Sequence, residues 1–538
     1  MDKFLNWWRE DGRYMTMVKA VLLALLPLLC CIVYCAAQGR TIGQVYLPGS
    51  EWNDELFYYK QVEGIVNFGY PQGYFGFNES HAIKLSFAAW SPVLVFPWIL
   101  WGLLFGWNLM SPIWCNIFLM TLCCFLFVWL VRPAWKQLGI LAFLFCLYTP
   151  FVRYMLSGMP EVICFALLIL FYGIVINYLE REKNWKLILL IIMSGVMTLM
   201  RPYLLLFLLL PLLLWVKKSW WKGAVGSLLV LAAVLGAYAC IKHYLGAEYF
   251  APLFFTDWVT GGLRYTLGKL YYMGMDFWGH TLQGFRTGLA SGAFFGGYLV
   301  VMAVLVVQSL RDFMRLRRRD KEGAKTSQKE DCQLRNMLIV EGHLAFSFVA
   351  MLFALLLMYK LTEGSKHLLT FMAAGLFIVA LMETRFYKKA VLVGAVFAFF
   401  YTYKAVDPYD YQVPFVTQER RMQLEEWTEA FQELRPLSEE VPSFENVVMW
   451  VFSDVAGDGS ENLEWQLLYG LPEGFGISCC MPEYVIQNFD SLKCRYMATL
   501  AGGQIDGMCQ DAGYTELYRS GPMVLYMIGQ TAEIDKEI

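Results

Sequence analysis

The chain has 538 residues, 58% of them hydrophobic and 17% aromatic, with a formal net charge of −2. A soluble globular chain is about half apolar, and several runs here approach the roughly 20 apolar residues needed to cross a hydrocarbon core, which excludes an ordinary soluble domain. The near-neutral charge carries no information about a polyanionic partner, and the scattered histidines (81, 243, 280, 343, 367) and the absence of any CxxC spacing argue against a protein-built zinc site.

Met1 to Lys19 is too polar for a cleavable signal peptide, and Cys30, Cys31 and Cys35 offer no small-residue cleavage site. Residues 18–36 therefore read as a retained anchor. Just beyond it stand Asn53, Asp54 and Glu55. Two adjacent carboxylates outside a first span suit catalysis at the membrane surface, with one acting as base. Asn53 or Asp54 also suits the cap of a helix over 54–68, with Glu55 complementing its dipole. The two readings are compatible. Tyr58, Val62, Ile65 and Val66 are spaced as one face of that helix, which is predicted to lie in the interface plane. Gly69, Gly73 and Gly76, with Tyr70, Tyr74 and Phe77, predict a mobile aromatic loop that admits a sugar. Asn78, Glu79 and Ser80 form a glycosylation sequon.

Candidate membrane segments are 18–36, 91–107, 113–131, 138–150, 158–179, 187–200, 203–216, 223–241, 289–309, 338–359, 367–382 and 390–403. Basic clusters separate them, among them Arg132 with Lys136, Lys217 with Lys218, and the run from Arg311 to Arg335. Placing every cluster in the cytoplasm requires that one of the first segments not cross. Pro92, Pro97, Gly102 and Gly106 single out 91–107 as a surface or re-entrant helix. Eleven crossings then leave the N-terminus cytoplasmic and the C-terminus outside, in what reads as a bacterial plasma membrane protein. The 311–335 run is topological, and no nucleic-acid partner is expected.

Several outer residues oppose the usual charge pattern. Pro160 and Glu161 open the 158–179 segment after Arg153 and Tyr154. Arg201 and Pro202 form an outer turn, and Arg suits phosphate through its planar donor fork. Lys366 and His367 stand on a short outer loop, and His81 and Lys84 end the first one. Together with Arg201 these cations could hold a lipid-linked phosphate, although each alone also suits a lipid headgroup. The outer loop 242–288 is rich in Trp and Tyr, which suit sugar stacking and interfacial anchoring alike. Residues 404–538 read as a small extracytoplasmic α/β domain, with a helix over 417–434 and strands at 447–452 and 523–528. Cys479, Cys480, Cys494 and Cys509 lie in that domain and suggest disulfides whose pairing is open.

This pattern resembles the GT-C superfamily of integral-membrane glycosyltransferases, which includes protein O-mannosyltransferases and aminoarabinose transferases. The resemblance rests on the first span, the Asp54 and Glu55 pair, the Pro-containing segment after it, the Met159–Glu161 helix start, the Arg201 turn and the Gly364–His367 stretch. It covers residues 1–403 as architecture. Many members have a basic residue followed by two prolines where Lys84 stands here, and an Arg followed by Tyr where Lys366 and His367 stand. The resemblance implies an all-α polytopic fold and an inverting transfer from a polyprenyl-phosphate sugar to an acceptor glycan, lipid or protein, with Asp54 as base. Arg201, Lys366 or Lys84 would offset the charge on the departing phosphate. Glu55 or Glu161 would orient the acceptor or hold a divalent cation, and no other cofactor is implied. The alternative is a transporter or flippase of a lipid-linked glycan. Its ionisable groups should sit inside the spans, whereas these apolar runs contain almost none.

Overall fold

The structure, a computed structural model, describes residues 12–50, 53–69, 75–79, 91–148, 150–245, 261–286, 289–322, 328–358, 370–381, 392–396, 413–432, 434, 446–451, 465–472 and 474–528. Among these residues five helices are long and apolar enough to cross a membrane: Tyr14–Ala37, Ser111–Val131, Glu161–Glu180, Trp220–Leu245 and Leu334–Leu357. Phe96–Phe105, Trp135–Leu147, Asn184–Met200 and Phe371–Leu381 are shorter apolar helices. The chain is an integral membrane protein, mostly helical, with a small C-terminal sheet. The Phe96–Phe105 helix carries Pro97 in its first turn and stops at Gly106, whose φ of 83° is left-handed. At 1.5 Å per residue it rises about 15 Å, half of a hydrocarbon core.

The Glu161–Glu180 helix lies at the centre, buried along most of its length. It packs closely on Ser111–Val131: a Cβ at Gly173 would stand 3.0 Å from a ring carbon of Phe127. Asn177 also donates to Leu130 O across this contact, at 2.8 Å.

Two expectations are corrected here. The outer loop 242–288 is largely helical, with Trp220–Leu245 running past its start and Gly262–Arg286 forming a second helix. Leu263, Leu267, Leu270, Tyr271 and Trp278 recur at helical spacing, a periodicity that the aromatic content obscured. The basic 311–335 run, placed between two membrane segments, is likewise helical at both of its ends. Leu289–Glu322 continues through Arg311 and Arg315–Arg318, and Gln328–Met358 takes up its end, because Arg and Lys are good helix formers.

The C-terminal region forms a six-stranded sheet in the order β1-β3-β2-β4-β6-β5. The strands are β1 Phe75–Phe77, β2 Val447–Val451, β3 Gly476–Cys480, β4 Tyr496–Leu500, β5 Thr515–Ser520 and β6 Met523–Met527. Pairing is parallel from β1 through β4 and antiparallel at β4-β6 and β6-β5. The helix over Gln418–Gln432 accompanies the sheet. Strand alternation sends Val447, Met449 and Val451 to a local core with Val485 and Ile505, and Val448 and Trp450 to the core shared with the membrane helices. β1 falls in the stretch where a mobile aromatic loop was expected. Phe75 to Phe77 is instead an ordered strand in register with Ile477 to Cys479.

The suggested disulfides do not form. Cys479, Cys480, Cys494 and Cys509 are free and buried. Neighbouring strand residues point to opposite faces, so Cys479 joins one core and Cys480 the other, where they pack as small apolar groups.

Candidate active site

The Asn53–Phe68 helix begins with Asp54 and Glu55 in its first turn, where carboxylates complement the helix dipole. Every side chain from Glu55 to Val62 is buried, while Asp54 is half-buried. The helix is therefore enclosed by protein at its acidic end, more deeply than a helix lying in the interface plane. Trp107 Nε1 donates to Tyr59 O at 3.2 Å, and the Trp107 and Tyr59 rings stack at 5.4 Å. The C-terminal domain covers another side. Lys60 Nζ donates to Leu471 O at 2.6 Å and to Glu63 at 2.8 Å. Gln466 Nε2 donates to Ser50 O at 3.0 Å, and the Tyr469 ring meets Tyr59 at 5.3 Å.

Glu55 is fully buried and faces Arg153, with Nη2 3.1 Å from Oε1. The same Nη2 donates to Ser50 Oγ at 3.0 Å. Burial raises the Glu55 carboxyl above its ordinary range, and Arg153, the Ser50 hydroxyl and the Gly158 N–H pull it back. A Cβ at Gly158 would stand 3.3 Å from Glu55 Cβ, so the turn after the Pro150–Met155 helix passes directly beside the carboxylate's stem. Asn116 braces that turn: its Nδ2 donates to Ser157 O at 3.0 Å and Tyr154 O at 3.3 Å, while its Oδ1 accepts from Trp98 at 2.8 Å.

Glu161 and Arg201 form a second pair. Arg201 closes the Asn184–Met200 helix and donates from Nη2 to Glu161 Oε1 at 2.5 Å, with neither side chain exposed to solvent. Its Nη1 donates to the Tyr203 hydroxyl at 3.3 Å. Tyr58 links this pair to the acidic helix. It lies one turn from Asp54 and within electrostatic reach of Arg201, Asp54, Glu161 and Tyr203. Burial holds its phenol well above the ordinary range; Arg201 opposes that shift, and the two carboxylates add to it.

Three of the seven candidate site residues, Lys84, Lys366 and His367, lie outside the described residues. The other four gather in one region: Asp54 at its rim, Glu55 paired with Arg153, and Glu161 paired with Arg201. Residue-level reading of the sequence had not assigned site roles to Ser50, Tyr58, Arg153, Tyr203 or Tyr469. Arg153 carried a usable signal, since it is a cation that closely precedes Glu161. Tyr469 carried none. Among the described residues no group of three His, Cys, Asp or Glu side chains could hold a metal ion. A cavity of about 480 Å³ lies elsewhere, at the Glu180 end of the Glu161–Glu180 helix.

No family model matches the chain, and no curated protein matches it. Among solved structures it is similar to the oligosaccharyltransferase of Archaeoglobus fulgidus in its apo form, with 14% identity and a TM-score of 0.48, over 91% of this chain and 70% of that one. It is also similar to ArnT from Cupriavidus metallidurans bound to undecaprenyl phosphate, with 11% identity and a TM-score of 0.42, over 95% of this chain and 98% of that one.

Proposed function

We propose that this protein is a membrane glycosyltransferase that moves a sugar from a polyprenyl-phosphate donor to an extracytoplasmic acceptor with inversion. One observation carries the reading: Asp54, half-buried, sits at the rim of an ionic cluster whose other acids are sealed against guanidinium groups. Ionisable groups at membrane depth are expensive and mark function. Glu55 and Glu161 are neutralised and fixed, whereas Asp54 keeps access to an incoming group.

In the proposed step the acceptor oxygen or nitrogen attacks the anomeric carbon from the face opposite the phosphate. Asp54 takes the acceptor proton as the new bond forms. The bond from the anomeric carbon to the phosphate oxygen breaks, and its electron pair leaves on polyprenyl phosphate. Attack from the opposite face inverts the anomeric centre. The oxocarbenium-like transition state is favoured by nearby anionic charge. Glu55 with Arg153 acts as a positioning pair that fixes the first turn of the helix. Arg201, with Lys84, Lys366 and His367, is assigned to the phosphate end, where cations offset the developing charge.

The test is Asp54→Asn at unchanged expression, with membranes supplied with a panel of radiolabelled polyprenyl-phosphate hexoses and pentoses. Donor cleavage by the wild type and its loss in the variant are the expected result. Retained cleavage in the variant removes Asp54 as base. Movement of intact donor between leaflets without cleavage by the wild type would establish the flippase alternative instead.

A further inference from the structure

The cavity of about 480 Å³ falls within the range of small-molecule sites. It lies at the far end of the 20-residue Glu161–Glu180 helix from Glu161, roughly 30 Å away. Val175, Val340, Ile378 and Leu381 form buried apolar wall, while Arg132 and Glu180 border the same cavity and are exposed. These two residues carry opposite charges but form no ion pair with each other or with any other described residue. Lys186, which Glu180 also faces, gives its ammonium to Asn177 O at 2.6 Å and Arg181 O at 3.1 Å. Arg132 ends its helix at φ 50°, ψ 55°, the left-handed conformation common at helix C-termini, which fixes its position at the cavity border.

A largely apolar cavity bordered by one exposed cation and one exposed anion suits a particular amphiphile. We propose that the cavity holds a hydrocarbon chain of a zwitterionic aminophospholipid from the bilayer, with its phosphate against Arg132 and its primary ammonium against Glu180. A guanidinium binds phosphate through paired N–H donors. The carboxylate distinguishes an ammonium, which donates hydrogen bonds, from a quaternary amine, which does not. A purely anionic headgroup would leave Glu180 facing like charge.

The experiment uses the full chain, delipidated in detergent and offered equal amounts of phosphatidylethanolamine, phosphatidylcholine and phosphatidylglycerol with the same acyl chains, and, in a separate arm, a polyprenyl phosphate. Native mass spectrometry counts the retained lipid. The wild type should retain one phosphatidylethanolamine per chain, roughly tenfold over phosphatidylcholine, the size of one charge-assisted hydrogen bond. Glu180→Gln should level those two lipids, and Arg132→Gln should lower retention of all the phospholipids. Equal retention of ethanolamine and choline lipids by the wild type overturns the proposal. So does preference for phosphatidylglycerol or the polyprenyl phosphate, or an ethanolamine preference that survives Glu180→Gln. The wild-type comparison decides the matter even where a variant fails to fold.

Discussion

Arg201 and Glu161 meet at 2.5 Å with both side chains closed off from solvent, so their pairing offsets part of the cost of leaving water. Removing one partner from such a pair costs about 3–5 kcal/mol, because the survivor is left buried and charged, whereas replacing both with apolar groups is often neutral. Glu161→Gln is therefore expected to lower the thermal midpoint sharply in detergent. Glu161→Leu combined with Arg201→Met should recover most of that loss while leaving sugar transfer absent. Equal stability of the single and double variants would show that the pair does not set the local fold.

Glu55 gives a pH prediction. Its carboxyl is raised above its ordinary value of 4.5, burial being the main cause and Arg153 opposing it. Between the unfolded and folded values the native state binds the proton more tightly, so stability is greatest on the acidic side and falls as pH rises through that window. Arg153→Met removes the opposing cation and should push the window to higher pH. Thermal midpoints measured from about pH 4 to 8 would show this as a loss of stability that extends further upward in the variant. A pH dependence identical to that of the wild type would contradict it.

The C-terminal domain is stapled to the N-terminal part of the chain by single groups that can be removed. Glu79, buried just after β1, accepts from Lys493 N at 2.6 Å, Cys494 N at 2.7 Å and the Tyr484 hydroxyl at 3.0 Å. Glu79→Ala removes the acceptor of both N–H groups and of the hydroxyl, and about 1–3 kcal/mol should be lost. Limited proteolysis of membranes is expected to release C-terminal fragments faster than from the wild type, with the membrane helices intact. Lys60→Met, which cuts the link to Leu471 O, should act in the same direction.

The four C-terminal cysteines should behave as reduced, sheltered thiols. Burial pushes Cys480 up to about 11 and Cys509 up to about 12, so little reactive thiolate is present at neutral pH. Peptide mass spectrometry after maleimide treatment should find Cys479, Cys480, Cys494 and Cys509 unlabelled in the native protein and labelled after denaturation without reductant. Failure to label after denaturation would reveal an oxidised pair.

The membrane character of the chain was legible because apolar runs of such length seldom occur in a water-soluble protein. The acidic helix was legible from Asp54, Glu55 and the spacing of Tyr58, Val62 and Ile65. The pairing within the site was not. Glu55 with Arg153 and Glu161 with Arg201 join residues 98 and 40 positions apart, and sequence spacing carries no distance across a fold. Glycine and aromatic content suggested a mobile loop at 69–77, yet Phe75 to Phe77 takes its order from Ile477 to Cys479, a partner that no local signal names. The Gly262–Arg286 helix was missed because its aromatic residues drew more notice than their period.

The β1 and β3 pairing also fixes an order of events during synthesis. Phe75 emerges long before Ile477, the residue it aligns with. Contacts this remote in sequence form late, so for most of translation the short edge strand has no sheet to join. A chain halted before residue 476 would carry that segment unpaired, beside an acidic helix still lacking its C-terminal cover. The acidic helix therefore cannot gain its full cover until nearly the whole polypeptide has been made.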